Sequence, residues 1–322
     1  MKVFVTGAAG FIGSNYVRYL LSNSDYEVTI YALLTYAGNE STIQDLMETG
    51  RVTFIRGDIC DPIAMQQAMT GHKHVVHFAA ESHVDRSIAD SAAFFHTNCF
   101  GTNVVMDTAR KCDVEKVVHI GTDEVYGSVE IGSSLETDPL DPRSPYSASK
   151  AGSDLIASAY FHTYGLPVII TRCTNNFGSY QYPEKAIPLF TTNLLQGGKV
   201  PLYGDGLHQR DWLYVDDHCS GISTVLEHGA FGDIYNIGAG NETANIDLVT
   251  SLLKILNLDN SSIEYVADRP GHDRRYSVDT SKIRALGWSK VHSIDSALEK
   301  TVNWYRDNEW WWGPLRQRNR TS

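Results

Sequence analysis

The stretch Lys2-Val3-Phe4-Val5-Thr6-Gly7-Ala8-Ala9-Gly10-Phe11-Ile12-Gly13 decides how the rest of the chain reads. A run of β-branched and aromatic residues, suited to a buried strand, stops on glycine, and apolar residues then resume at helical spacing. Gly7, Gly10 and Gly13 sit where the backbone must turn sharply and can approach a pyrophosphate, which the N–H groups and dipole of a helix N-terminus would hold. A strand-to-helix turn with a purely structural purpose is the other reading, and a glycine triplet alone does not separate them.

Outward from this loop, short β-branched runs at 2–6, 27–33, 52–56, 74–78, 116–121 and 168–172 alternate with amphipathic stretches at 11–21, 62–69, 92–112 and 146–164. That alternation predicts an α/β fold, a Rossmann-type doubly wound parallel sheet with right-handed crossovers. After residue 172 glycine and proline punctuate shorter apolar pieces, which suggests a smaller α+β substrate lobe. The segments 212–215 and 233–237 read as further sheet elements. The expected division is therefore a nucleotide-binding domain of 1–172 with 211–238 added, and a lobe of 173–210 and 239–322. The tail, with Trp304, Trp310, Trp311 and Trp312 before Arg316, Arg318 and Arg320, reads as an aromatic helix end packed on the body and a solvated basic tip.

Composition narrows the function. The 322 residues carry a net charge of −11, which repels nucleic-acid phosphates and anionic lipid surfaces, so an anionic substrate must meet a local basic site. No apolar run is long enough to span a bilayer, and the start has no signal-peptide pattern. Cys60, Cys99, Cys112, Cys173 and Cys219 are odd in number and widely spaced, as free thiols in a cytoplasmic protein would be. His72, His74 and His77 lie on and before a buried-type strand without carboxylate or cysteine companions, so no metal is expected. No G-x-S-x-G supports serine hydrolase chemistry.

Two clusters carry chemistry. Tyr146 and Lys150 form Y-x-x-x-K behind Pro145, and i, i+4 spacing puts both on one helix face. An ammonium beside a phenol lowers the phenol pKa from about 10 and makes a tyrosinate base accessible. Gly121-Thr122-Asp123-Glu124-Val125-Tyr126-Gly127 follows a strand at the carboxyl edge, where open α/β sheets place their ligands. A helix cap with solvated acids is the plainer account. The functional one gives Thr122 a substrate hydroxyl, Asp123 the acid role and Glu124 the base role.

One expected part is missing. A carboxylate at the end of the second strand ordinarily accepts hydrogen bonds from the adenosine ribose, and Ala32 stands there. Asp25 and Glu27 lie at the opposite end of that strand. Neither Leu33 nor Leu34 supplies an arginine for a 2′-phosphate, so NAD is expected over NADP, bound less tightly than with a carboxylate in place.

The G-x-x-G-x-x-G loop and five blocks in order now point to a family: Phe78-Ala79-Ala80-Glu81-Ser82-His83-Val84-Asp85-Arg86-Ser87, the Thr122–Gly127 cluster, Ser144-Pro145-Tyr146 with Lys150, Arg172-Cys173-Thr174-Asn175-Asn176, and Asp268-Arg269-Pro270-Gly271-His272. Over nearly its whole length the chain resembles extended short-chain dehydrogenase/reductases, and among them the 4,6-dehydratases of dTDP-glucose. The resemblance implies NAD contacts at Phe11, Ile12, Asp58, Ile59, Ala79, Ala80, Thr97, Tyr146, Lys150 and Asn176, with Thr35 near the adenosine and Asp58 at the adenine. It implies substrate contacts at Ser82, Thr122, Asn175, Glu184, Lys185, Pro201, Tyr203, Arg210 and Asn245, and at Asp268, Arg269 and His272. Arg210 and Arg269 suit a diphosphate, although a lone arginine is as readily a surface ion pair. Departures from the family are Ala32 for aspartate, Gly121 for serine and Ala186 for leucine. The implied reaction is C4 oxidation by NAD, loss of water across C5 and C6, and hydride return to C6, in a homodimer formed by the helices at 92–112 and 146–164. A UDP-sugar 4,6-dehydratase, a 4-epimerase and a non-enzymatic nucleotide-sensing protein are the rivals.

Overall fold

The computed structural model describes residues 1–268 and 273–321, with side chains through 318. The strands are β1 Lys2–Thr6, β2 Glu27–Ala32, β3 Val52–Arg56, β4 His74–His77, β5 Lys116–Thr122, β6 Val168–Cys173, β7 Asn175–Phe177, β8 Val200–Tyr203, β9 Gln209–Tyr214, β10 Ile234–Ile237, β11 Glu242–Ala244 and β12 Ile263–Val266. Seven form one parallel sheet in the order β10-β6-β5-β4-β1-β2-β3. The strand order reverses beside β1, where the glycine loop leaves the sheet, and such a switch point is where open α/β sheets bind ligands.

Alternate residues of the central strands feed two cores, one on each face. Val3 and Val5 pack with Tyr16, Val17 and Leu20 of the first helix, Phe11–Asn23. Phe4 faces the other way, toward Met65, Val105 and Met106. This two-sided burial is why the strands read as near-continuous apolar runs.

Helix ends follow their residues. Asp61 caps Pro62–Met69 by accepting from the Ile63 and Ala64 amides. Ser144 and Ser147 form a capping box around Pro145, which starts Pro145–Tyr164, and Gly165, left-handed at φ 69°, ends it. The helix expected at 92–112 is broken: Ser91–Phe94 passes into a π-helix, Phe95–Gly101, before Thr102–Lys111 resumes. The widened turns put Thr97 on the site described below, while Asn98 exchanges hydrogen bonds with the Glu81 backbone (2.8 and 3.0 Å) and donates to Ser149 Oγ (2.8 Å).

Beyond β6, β10 joins the edge of the main sheet. The segment around 212–215, expected as a sheet element, forms β9 in a separate three-stranded sheet, β11-β9-β7, and β12 pairs with β8. The aromatic tail packs on the body: Trp311 and Trp312 are buried with Tyr182 and Tyr305, and Trp311 Nε1 donates to Thr42 Oγ1 at 3.1 Å. Arg316 of the expected basic tip donates to Asn193 Oδ1 at 2.6 Å, so this guanidinium ties the tail to the lobe. All five cysteines are free thiols. No helix among the described residues is long and apolar enough to cross a membrane.

Candidate active site

A cleft of about 410 Å³ runs along the carboxyl edge of the sheet. Its floor begins with the glycine loop. Gly7 takes a left-handed φ of 72°, and a Cβ there would stand 2.6 Å from the Ala79 amide nitrogen. A Cβ on Gly13 would come 2.7 Å from Ala8 Cα, so this glycine lets the first helix pack closely on the Gly7-Ala8 turn. Gly10 caps the first helix with no side-chain hydrogen bond, which leaves the N-terminal amides open toward the cleft. Cradle, turn and open helix end together fit the pyrophosphate of a dinucleotide.

Of the residues singled out in the sequence, Gly7, Gly10, Phe11, Ile12, Gly13, Thr35, Asp58, Ile59, Ala79, Ala80 and Thr97 line one part of this cleft. Ser82, Thr122, Asp123, Glu124, Tyr146, Lys150, Asn175, Asn176, Glu184 and Lys185 line the rest. Pro201, Tyr203, Arg210, Asn245 and Asp268 do not line it. They gather instead around the 203–210 turn, where the Asn245 amide donates to the His208 carbonyl at 3.0 Å and Asp268 lies 3.3 Å from His208 Nε2. Arg210, expected on a diphosphate, donates to the carbonyls of Gln209 (2.7 Å), Asp273 (2.8 Å) and Arg274 (3.4 Å) and lies 4.5 Å from the Tyr276 ring. Arg269 and His272 fall outside the described residues.

The chemical end is dry and crowded with titratable groups. Asp123 is 3% exposed, and burial first, then Glu124 and Asp211, push its carboxyl well above the usual range. Thr122 Oγ1 lies 3.3 Å from Asp123 Oδ1, while the buried Asp123 Oδ2 has no hydrogen-bond partner among the described residues. The buried Tyr146 departs from expectation, because burial and the nearby Glu124 raise its phenol well above 10, and the hydrogen bond with Thr122 works against them. The ammonium of Lys150 is itself aimed elsewhere, donating to the Ile120 carbonyl at 2.7 Å. Burial lowers its pKa, and Asp154 raises it.

Beneath Lys150 lies a network that the sequence reading missed. Asp154 accepts from Arg172 Nε at 2.9 Å and lies 3.3 Å from His119 Nε2; Arg172 Nη1 reaches the Tyr126 hydroxyl at 2.8 Å, which donates to Asn236 at 2.9 Å. Burial pushes the Asp154 carboxyl up, but His119 and Arg172 together bring it below the ordinary value. Tyr146, Lys150 and Asp154 follow at steps of four on one helix, so the signal was visible as an extension of Y-x-x-x-K. Gly121 makes room for it: a Cβ there would stand 2.6 Å from the Thr171 carbonyl and 3.0 Å from Asp154 Oδ1. His77, once weighed as a ligand, is buried and bonded between Thr6 (2.7 Å) and Thr102 (3.1 Å). No three His, Cys, Asp or Glu among the described residues converge to hold a metal ion.

The chain is similar to known proteins over nearly its whole length. The pattern of the GDP-mannose 4,6 dehydratase family matches residues 4–301. The chain is 48% identical to a dTDP-glucose 4,6-dehydratase of Streptomyces niveus, covering 98% of this chain and 96% of that protein. It is 45% identical to dTDP-glucose 4,6-dehydratase 1 of Escherichia coli K12, covering 97% and 94%. The crystal structure of the dTDP-glucose 4,6-dehydratase of Streptomyces venezuelae, solved with NAD bound, superimposes with a TM-score of 0.96 at 52% identity, covering 98% of this chain and all of that one. A UDP-glucose 4-epimerase from Thermus thermophilus, also with NAD, gives 0.89 at 30% identity, covering 96% and 100%. With this extent of match, the chain belongs to the GDP-mannose 4,6 dehydratase family, in the short-chain dehydrogenase/reductase fold, and stands among its dTDP-glucose 4,6-dehydratases.

Proposed function

We propose that the protein is an NAD-dependent hydro-lyase that converts dTDP-glucose to dTDP-4-keto-6-deoxyglucose for deoxysugar synthesis. The observation that carries this reading is the cluster of buried Thr122 and Asp123 with the half-buried Glu124, in one cleft with Tyr146 and the glycine loop. Bound against Gly7, Gly10 and Gly13, NAD supplies the hydride acceptor for C4 and gives the same hydride back at C6. Tyr146 takes the proton of the C4 hydroxyl as a tyrosinate, the state that the positive ring of bound NAD favours against the burial and the Glu124 charge that raise its phenol. Thr122, in contact with both Tyr146 and Asp123, positions that hydroxyl. The 4-ketone acidifies C5, Glu124 removes the C5 proton, and Asp123, held protonated by its burial, protonates the departing C6 oxygen. An epimerase needs no second acid and base, which favours dehydration over the 4-epimerase rival.

The finer assignments rest on the same reading. Ser82, Asn175, Glu184 and Lys185 contact the sugar, and the group around Pro201, Tyr203, Arg210 and Asn245 with Asp268, Arg269 and His272 holds the nucleotide, in a lobe of 173–210 and 239–322 against a cofactor domain of 1–172 with 211–238. The chain works as a cytoplasmic homodimer joined through the segments at 92–112 and 146–164, on which Phe100 and Leu155 are exposed. NMR of the products from dTDP-glucose and UDP-glucose in parallel tests the proposal: a 4-keto-6-deoxy product from dTDP-glucose is expected, whereas a 4-epimer, or faster dehydration of UDP-glucose, would overturn it.

A further inference from the structure

The end of β2 lacks its ribose carboxylate, and the neighbouring strand ends on an arginine, Arg56, which does not line the cleft itself but immediately precedes Gly57 and Asp58, which do. In the parallel pairing of β2 with β3, Ala32 is in register with Arg56, and the Gly57 amide donates to the Ala32 carbonyl at 3.2 Å. Register partners stand side by side, about 4.8 Å apart, and point to the same face. That face is the one on which Val28, Ile30 and Ala32 of β2, with Val52 and Phe54 of β3, pack against the first helix. Arg56 follows Phe54 by two residues, so it emerges on this face at the carboxyl edge, where a dinucleotide seated on the Gly10 helix end lays its adenosine ribose over β2. The residue is exposed, and its guanidinium makes no hydrogen bond or ion pair among the described residues. Asp58, the cleft carboxylate two residues further along the chain, accepts at Oδ1 from the Cys60 amide at 2.8 Å.

We propose that the adenosine end of this cleft takes a 2′-phosphorylated dinucleotide, NADP, as well as NAD, and that Arg56 is the specificity-determining residue that holds the 2′-phosphate. The proposal rests on the nicotinamide-dependent dehydratase reading and deepens it. Ala32 removes the charge that would repel the phosphate, and Arg56 offers it a guanidinium fork. The strand-end leucines at 33 and 34 carry no such group, and the arginine comes from the neighbouring strand, 24 positions along the chain from Ala32 by the pairing register.

Calorimetric titration of NAD and NADP into the full chain, with dTDP-glucose turnover under each cofactor, tests this. NADP should bind no more than about threefold more weakly than NAD, and Arg56→Ala should weaken NADP by about fivefold or more while NAD changes by less than about twofold. Ala32→Asp should restore preference for NAD. A larger penalty for NADP in the unaltered protein, or a smaller loss in Arg56→Ala, would overturn the proposal while NAD-supported turnover leaves the dehydratase reading standing. Failure of both cofactors to support turnover would sink that reading and this proposal together.

Discussion

At the adenosine end of the cleft, β2 stops on Ala32, the half-exposed Leu33 lines the wall, and neither brings a charge; at the chemical end, Asp123, Tyr146 and Lys150, and beneath them Asp154, Arg172 and His119, all lie buried. The first region presents mostly backbone, a glycine cradle and an open helix end, which many side chains can border. The second must hold protons at chosen atoms, and this takes desolvated groups whose pKa values are driven apart. A substitution such as Ala32 is therefore survivable at one end, whereas at the other each group is set by its neighbours.

Replacing the acid and base together strikes hardest. Asp123→Asn with Glu124→Gln should lower dehydration by roughly 10²- to 10⁴-fold while C4 oxidation persists, so reduced nicotinamide should accumulate without 6-deoxy product. Retained dehydration at a near-normal rate would show that the two carboxylates are bystanders. Asp154→Asn comes next, because it leaves Arg172 buried without its carboxylate and should cost about 3–5 kcal/mol in denaturant unfolding near neutral pH. Since the Asp154 pKa is depressed in the folded protein, this stabilisation is present above about pH 3.9 and is lost as pH falls through the folded value, so the gap should narrow in acid.

Asp123 carries the opposite sign. The folded protein holds its proton more tightly than the unfolded chain does, so raising the pH from about 4 favours unfolding. Asp123→Asn alone should then raise Tm at about pH 8 and leave it unchanged near about pH 3.5; equal Tm values at both would show that burial of this acid carries no cost. The smallest effect belongs to the adenosine end, where Leu33→Ser should alter stability by no more than about 0.5 kcal/mol and NAD affinity by less than about threefold, measured by thermal melts and titration.

The main sheet was legible because strands buried on both faces announce themselves as short apolar runs between helical stretches. The small strands β7, β8, β11 and β12 were not, being three or four residues long and paired across distant turns. The π-helix at Phe95–Gly101 shares its apolar spacing with an ordinary helix, so the break left no trace in periodicity. Residues that belong to motif blocks were named from the sequence and line the cleft, whereas pairings made by strand register or by crossing elements were not legible. Arg56 meets Ala32 only through pairing of β2 with β3, and His119 and Arg172 meet Asp154 only once β5 and β6 lie under the Pro145–Tyr164 helix. The expected effect of Lys150 on Tyr146 went astray because sequence proximity gives charge but not burial, and burial dominates that phenol.

In the proposed reaction NAD accepts the C4 hydride, the side chains of the cleft move the protons that expel water, and the same hydride returns to C6 without leaving the cleft. Its most direct test is turnover of dTDP-glucose deuterated at C4, with the product analysed by NMR. The account predicts deuterium at C6 of dTDP-4-keto-6-deoxyglucose; deuterium left at C4 or lost to solvent would contradict it.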